Sequence, residues 1–217
     1  NIEKIRLFNG NAYTAFGTAV HEVCEKAALN EITEPEYSTV FNSAFDRELS
    51  SLPAEEKVDE KLVKNMRSQG DNLLSDIIPA MQEYFGDYTV FSSEEQLMEP
   101  IFSELGKEYD FKGYIDLVIQ TKDGKYHIID WKTCSWGWPA KKRSDPMINY
   151  QLTLYKHFFA KKHALNPENI ETHFGLLKRT AKKDKIEIFR VTSGPKKTKN
   201  ALNLLNKALY NIQGCNH

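Results

Sequence analysis

An α/β fold built on one central mixed sheet, with a helical part at the N-terminus, is what three observations predict for this 217-residue chain. Helical spacing of apolar residues dominates the stretch up to Phe85, strand-like runs rich in β-branched and aromatic residues occupy the middle, and a strand pair between two helices closes the chain. Taken in order, Val20–Leu29, Tyr37–Ser50 and Glu55–Phe85 read as helices, the last bent near Gly70 and ended by Pro79 or Gly86. Tyr88–Phe91 and Glu95–Ile101 read as a strand entering a turn at Gly106. Tyr114–Ile119 and Tyr126–Trp131 flank Lys122-Asp123-Gly124 and read as a hairpin. An irregular loop, Ser135–Pro146, leads into a helix over Met147–Ala164. Ile170–Lys178 and Lys185–Val191 follow as strands around a Lys-rich turn, and Lys196–Ile212 is a last helix. Nothing rich in Pro, Gly or Ser divides the chain, so one domain is expected over 1–217, with 1–87 mainly helical and 88–217 the sheet core.

The hairpin carries the chemistry. Gly113-Tyr114-Ile115-Asp116 lies on its first strand and Asp130-Trp131-Lys132 on its second. Side chains repeat with period two on a strand, so Asp130 and Lys132 share a face and Trp131 takes the other. A two-residue Asp-Gly loop would send Asp116 and Asp130 to opposite faces. A three-residue loop, 122–124 with Gly124 at positive φ, pairs Thr121 with Lys125 and sets Asp116 opposite Asp130. The second register is adopted, because facing carboxylates repel unless a cation sits between them. Such a pair suits a divalent metal, and a metal beside a phosphate suits hydrolysis. Taken alone, the same residues also describe hairpin-end aspartates in water with Lys132 as a surface charge.

Further elements stand in order around the hairpin. Gly17-Thr18-Ala19-Val20-His21-Glu22 opens the first helix, and Gln151 and Tyr155 lie four apart, on one face of the helix after the hairpin. Glycine, helix histidine, Gly-x-x-Asp, Asp-x-Lys and Gln-x-x-x-Tyr in this order resemble the RecB-like branch of the PD-(D/E)-x-K nuclease superfamily, over roughly residues 13–160. The string Ile129-Asp130-Trp131-Lys132-Thr133 is similar to the mitochondrial genome-maintenance exonuclease type, and phage and CRISPR-associated exonucleases share the motif order. Where the family has proline before its first aspartate, this chain has Ile115.

The resemblance implies a restriction-endonuclease-like sheet flanked by helices. It implies His21, Asp116, Asp130 and the backbone carbonyl of Trp131 as ligands of one or two Mg²⁺ or Mn²⁺ ions. It makes Lys132 the group that orients the attacking water, and it places Gln151 and Tyr155 beside the DNA. Imidazole at position 21 favours Mn²⁺ competence. His21 could equally be an ordinary helix histidine, and Tyr155 a core residue. Glu22 points about 100° away from His21 and reads as solvated or as supporting the ligands. Glu95 falls where relatives carry a strand glutamate near the metal, and reads either as that group or as a solvated carboxylate. The activity implied is a metal-dependent deoxyribonuclease, an exonuclease on single strands or duplex ends. A structure-selective or restriction-like endonuclease shares the chemistry, and a catalytically silent nucleic-acid-binding subunit is the reading from another class.

Composition agrees with a polyanion partner. Residues 1–110 carry 9 Lys/Arg against 22 Asp/Glu, and residues 111–217 carry 20 against 8, so the half with the hairpin is strongly basic. Basic runs fall at Lys141-Lys142-Arg143, at Lys178, Arg179, Lys182, Lys183 and Lys185, and at Lys196, Lys197 and Lys199. Each contacts phosphate or is a solvated loop. Trp136 and Trp138 precede the first run and serve either as stacking surfaces for unpaired bases or as anchors of a long loop. Cys24, Cys134 and Cys215 are widely spaced and odd in number. That points to a reducing, intracellular (cytoplasmic) compartment and gives too few thiolates for a four-cysteine Fe–S cluster. No apolar run reaches the ~18 residues of a membrane span.

Overall fold

The structure, a computed structural model, describes residues 10–53, 55–56, 58–102 and 108–214. Helix α1 spans Ala12–Ala28, α2 Tyr37–Ser50, α3 Glu60–Leu74 and α4 Ile77–Phe85. Strands β1 (Tyr88–Phe102), β2 (Glu108–Thr121) and β3 (Tyr126–Cys134) follow, then α5 (Ala140–Arg143) and α6 (Pro146–Lys162). Strands β4 (Ile170–Lys178) and β5 (Ile186–Val191) precede α7 (Pro195–Gly214). The five strands form one sheet in the order β1-β2-β3-β4-β5. The turn expected at Gly106 lies outside the described residues.

Two helix boundaries differ from expectation, each for a local reason. α1 begins eight residues before Val20, because Asn11 and Thr14 form a capping box: Thr14 N–H donates to Asn11 Oδ1 at 3.1 Å and Asn11 N–H to Thr14 Oγ1 at 2.8 Å. Gly17 is therefore inside the helix. The stretch expected as one bent helix is two, parted at Ser75-Asp76 rather than at Gly70. Gly70 stays helical beneath the Phe41 ring, where a Cβ would come within 2.3 Å of ring carbon. Pro79 falls in the first turn of α4, where its missing N–H costs nothing, and Gly86 at φ 69° ends that helix.

The contacts divide the chain into two compact units. The first comprises residues 1–81, 132–136 and 176–187, and the second residues 82–131, 137–175 and 188–217. In the first, Phe16 meets Phe41 edge-on at 5.5 Å, and Phe41 stacks on Phe45 at 5.6 Å. In the second, Ile115, Leu117, Val118, Ile119, Ile128 and Ile129 are buried in the sheet. α6 covers the sheet there, with Phe158 stacked on Phe111 at 4.3 Å and Phe159 edge-on to Phe91 at 5.8 Å. The gap anticipated between Phe91 and Glu95 is a register shift between Val90 and Ser92 within a single strand. Strand β3 carries the chain from the second unit into the first between Trp131 and Lys132.

Candidate active site

The hairpin adopts the three-residue loop. Thr121 N–H donates to Lys125 O at 3.0 Å, Gly124 N–H to Thr121 O at 2.9 Å, and Gly124 has φ 80°. The ladder runs Gln120↔Tyr126, Ile119↔His127, Val118↔Ile128 and Leu117↔Ile129. The paired residues end there, and continued one step the same register would set Asp116 against Asp130. There a side chain joins the pairing: the Trp131 N–H donates to Asp116 Oδ2 at 2.7 Å, fixing that carboxylate against the backbone of β3. On the other side of Asp116, Glu94 of β1 has φ 46°, a left-handed conformation rare for a non-glycine residue. Asp130 is 2% exposed. A buried carboxylate is a high-energy group that a nearby divalent cation offsets.

Trp131 points away from Asp130 and its ring lies flat on β4, where a Cβ on Gly175 would come within 2.2 Å of ring carbon. Gly113 plays the same part for α6. The Tyr155 ring lies over it, 2.8 Å from where a Cβ would be. Tyr155 is buried, and its hydroxyl accepts from the Gln151 side-chain amide at 3.0 Å, so the pair shares one helix face as the spacing predicts. The glycine of Gly-x-x-Asp and the tyrosine of Gln-x-x-x-Tyr are thus packing partners.

His21 and Lys132 belong to the first unit, and both are half-buried. Within that unit α1 approaches the end of β3 at Gly17, whose absent Cβ would lie 3.3 Å from Thr133 Oγ1. His21 is one turn beyond Gly17 on the same side of α1. Glu22 faces elsewhere, bound by Lys26 at 2.7 Å and Arg47 at 2.6 Å. Burial pushes its carboxyl pKa up, but those two cations hold it below the usual value.

The surroundings of Glu95 and Trp138 bear on the alternatives the sequence left open. Glu95 turns to α6: its carboxylate accepts from Lys162 Nζ at 2.7 Å and Ser92 Oγ, and pairs with His163 Nε2 at 2.6 Å. Burial raises its pKa and these partners outweigh that, so the carboxyl sits below its ordinary value and anchors the helix. Trp138 is a core residue, 8% exposed, packed on Phe174 at 5.0 Å with Lys142 Nζ 4.3 Å above its ring. Arg143 is drawn inward too, its Nε donating to Trp138 O at 2.7 Å. Trp136, in contrast, is 66% exposed, and Lys141 and Lys142 are exposed on α5.

Part of the charge asymmetry is internal. In the first unit Lys185 pairs with Asp76 at 3.1 Å and Arg179 donates to Gln69 at 2.7 Å. In the second, Lys161 pairs with Glu99 at 3.4 Å and Lys162 with Glu95. Lys182 and Lys183 remain exposed. Three ligand-type residues not anticipated from the sequence, His127, Glu171 and His173, gather in the second unit. Their one sequence signal is the spacing Glu171-x-His173, which puts both on one face of a strand.

An Asp-x-Lys strand paired with an aspartate-bearing neighbour in a five-stranded sheet flanked by helices defines a class of metal-dependent nucleases. The chain belongs to the PD-(D/E)XK nuclease superfamily, whose model matches residues 3–214. No curated protein matches the sequence. A solved structure described as "Crystal structure of SSO0001" aligns with 88% of this chain and 84% of its own at 13% identity, with a TM-score of 0.40, too slight a likeness to support an argument. The superfamily hydrolyses nucleic acids with divalent metals, and DNA is the substrate it implies. Asp116, Asp130 and the Trp131 carbonyl fit such an ion, being the oxygen donors that Mg²⁺ and Mn²⁺ prefer. Among the described residues no helix is long and apolar enough to cross a membrane.

Proposed function

We propose that this protein is an exonuclease of the RecB-like branch that degrades single-stranded DNA or duplex ends. The two units act as one nuclease domain, with β3 threading both. The observation that supports the reading is the hairpin register, which, continued one step beyond Leu117↔Ile129, would bring Asp116 opposite Asp130 on the strand that leads into Lys132.

In this reading Asp116, Asp130, His21 and the Trp131 carbonyl hold Mg²⁺ or Mn²⁺. When bound, the ion lowers the pKa of water and neutralises charge on the phosphate. Asp116 is held in place by the Trp131 N–H, so the carboxylate loses little side-chain freedom on binding an ion. The Lys132 ammonium orients the attacking water and stabilises the negative charge that grows on the phosphoryl oxygens. Gln151 and Tyr155 act as a unit, the ring holding α6 on Gly113 while the amide faces the substrate. Exposed Trp136, four residues after Lys132, supports a single-stranded substrate, since an unpaired base stacks on such a ring for about 1–3 kcal/mol. Lys141 and Lys142 add phosphate contacts.

End-labelled linear single strands and covalently closed circular single strands, incubated with Mg²⁺ or Mn²⁺, test the proposal. Linear DNA is expected to be lost from an end while circles survive. Equal loss of both would make the protein an endonuclease, and loss of neither would leave a binding subunit.

A further inference from the structure

Three residues before Asp130 on β3, and on the opposite face by alternation, a second set of ligand-type side chains converges. His127 stands near the start of β3, and Glu171 and His173 lie beside it on β4. One ligand atom from each falls within 4.8 Å of the others. His127 Nδ1 is 3.1 Å from His173 Nε2 and 3.8 Å from Glu171 Oε2. A tetrahedral zinc ion with bonds of about 2.0–2.1 Å spaces its ligand nitrogens roughly 3.3 Å apart. The two imidazoles, hydrogen-bonded to each other in this structure, already stand at nearly that separation, and an ion would take the place of the shared proton.

Surrounding hydrogen bonds decide which atoms face the cluster. Thr121 Oγ1 donates to Asp123 Oδ1 at 2.5 Å and lies 3.0 Å from His127 Nε2. With its own proton directed to Asp123, the hydroxyl accepts from Nε2–H, which leaves the Nδ1 lone pair facing His173. Donation of the other ring N–H in this way is the habit of metal-bound histidine. Glu171 is held similarly. Its Oε1 takes Lys125 at 3.3 Å and Arg190 at 3.2 Å, and its Oε2 is the oxygen turned to His127.

Burial pushes both imidazole pKa values down, that of His173 to about 3. His173 is 2% exposed, and its Nδ1 has no hydrogen-bond partner among the described residues. An open cleft of about 580 Å³, walled by Tyr84, Phe85, Lys122 and Arg190, gives access to the three side chains.

We infer that His127, His173 and Glu171 form a binding site for one divalent transition-metal ion of the zinc class, separate from the carboxylate pair. Two imidazoles and one carboxylate favour Zn²⁺, Co²⁺ or Ni²⁺ over Mg²⁺, which seeks oxygen. Three protein ligands leave a fourth position for water or an anion from the cleft, beside Arg190. The ion cross-links β3 to β4 at the hairpin end of the sheet.

The test titrates Zn²⁺ calorimetrically into metal-stripped full-length chain carrying Asp116→Asn and Asp130→Asn, so that the carboxylate pair contributes nothing. Co²⁺ is added in parallel as a visible reporter of coordination. The expected result is one equivalent of Zn²⁺ bound, with four-coordinate Co²⁺ bands. Adding His127→Gln or Glu171→Gln weakens binding by at least about tenfold and removes the bands. Glu171→Gln keeps the shape of a partly solvated side chain, so it reports on the site even if the histidine variant unfolds, and circular dichroism confirms the fold of each. No Zn²⁺ binding, or equal binding with and without these substitutions in folded protein, overturns the inference.

Discussion

The hairpin end and the middle of β3 offer opposite chemistry on one nine-residue strand. In the middle, in the proposed site, Asp130 lies with Asp116, and the donors are carboxylate and carbonyl oxygens. At the hairpin end His127 meets His173 and Glu171, and the donors are chiefly nitrogen. The first set suits a hard ion that keeps its waters and works on phosphate, the second a borderline ion held by imidazole. Alternation gives each set its own face of the sheet. The difference teaches that burial alone does not mark the catalytic set. His173 is as buried as Asp130, and only the adjoining lysine and the substrate-facing elements separate the two.

Lys132→Ala strikes the oxygen-rich set alone. The expected loss is about 10²–10³-fold in kcat with DNA affinity nearly kept, because in the proposed reading the ammonium acts on the water and the charged transition state. Single-turnover cleavage and filter binding on the same variant check this. Parallel loss of binding and rate would reduce Lys132 to a phosphate contact.

Gly175→Ala probes the support that holds both sets. Its Cβ would enter the Trp131 ring, so a destabilisation of about 1–3 kcal/mol is expected, with reduced cleavage because Trp131 sits between Asp130 and Lys132. Urea denaturation measures the first effect. A variant as stable as the parent would show that the ring moves freely.

Much of this arrangement was legible in the sequence, and the parts that were not share a cause. Gly124 left two registers open, and the three-residue loop chosen to give the facing aspartates a cation is the one observed, while the helix expected over Met147–Ala164 runs from Pro146 to Lys162 with Asp145 as its N-cap. The true start of α1 was missed because Asn11 and Thr14 cap it, a short-range signal that was present but passed over. The partners of Glu95 and Trp138 and the imidazole cluster were not legible, because these groups lie far apart in sequence. Lys162 and His163 stand 67 and 68 residues from Glu95, and His173 stands 46 from His127. Spacing rules reach only along one element. The charge imbalance between the halves was real, yet it gave no hint that Lys185, Lys161 and Lys162 would spend their charge inside the protein.

Glu95→Gln sharpens the same point through pH. The folded carboxyl lies below its ordinary 4.5, so its contribution to stability is present above that pH and is lost as pH falls through the lower, folded value. The variant is expected to lose stability at pH 7 and to show a shallower decline below pH 4.5, with DNA cleavage at pH 7 retained. Thermal melts from pH 3 to 7 follow it. An unchanged acid limb would mean that the ties to Lys162 and His163 contribute nothing.

His127→Gln completes the contrast with the smallest effect on turnover. Mg²⁺-dependent cleavage should stay within about twofold of the parent, since His127 occupies the other face of β3. A collapse of activity in folded protein would merge the two sets into one site.

The most direct test of the central claim compares the parent protein with Asp130→Asn on end-labelled linear single-stranded DNA. Mg²⁺, Mn²⁺ and a chelator are each supplied in turn, with DNA binding measured beside cleavage. The account predicts that the parent cuts with either ion and stops with the chelator, and that the variant binds DNA but does not cut. Cleavage by Asp130→Asn at the parent's rate, or by the parent in the presence of chelator, would contradict it.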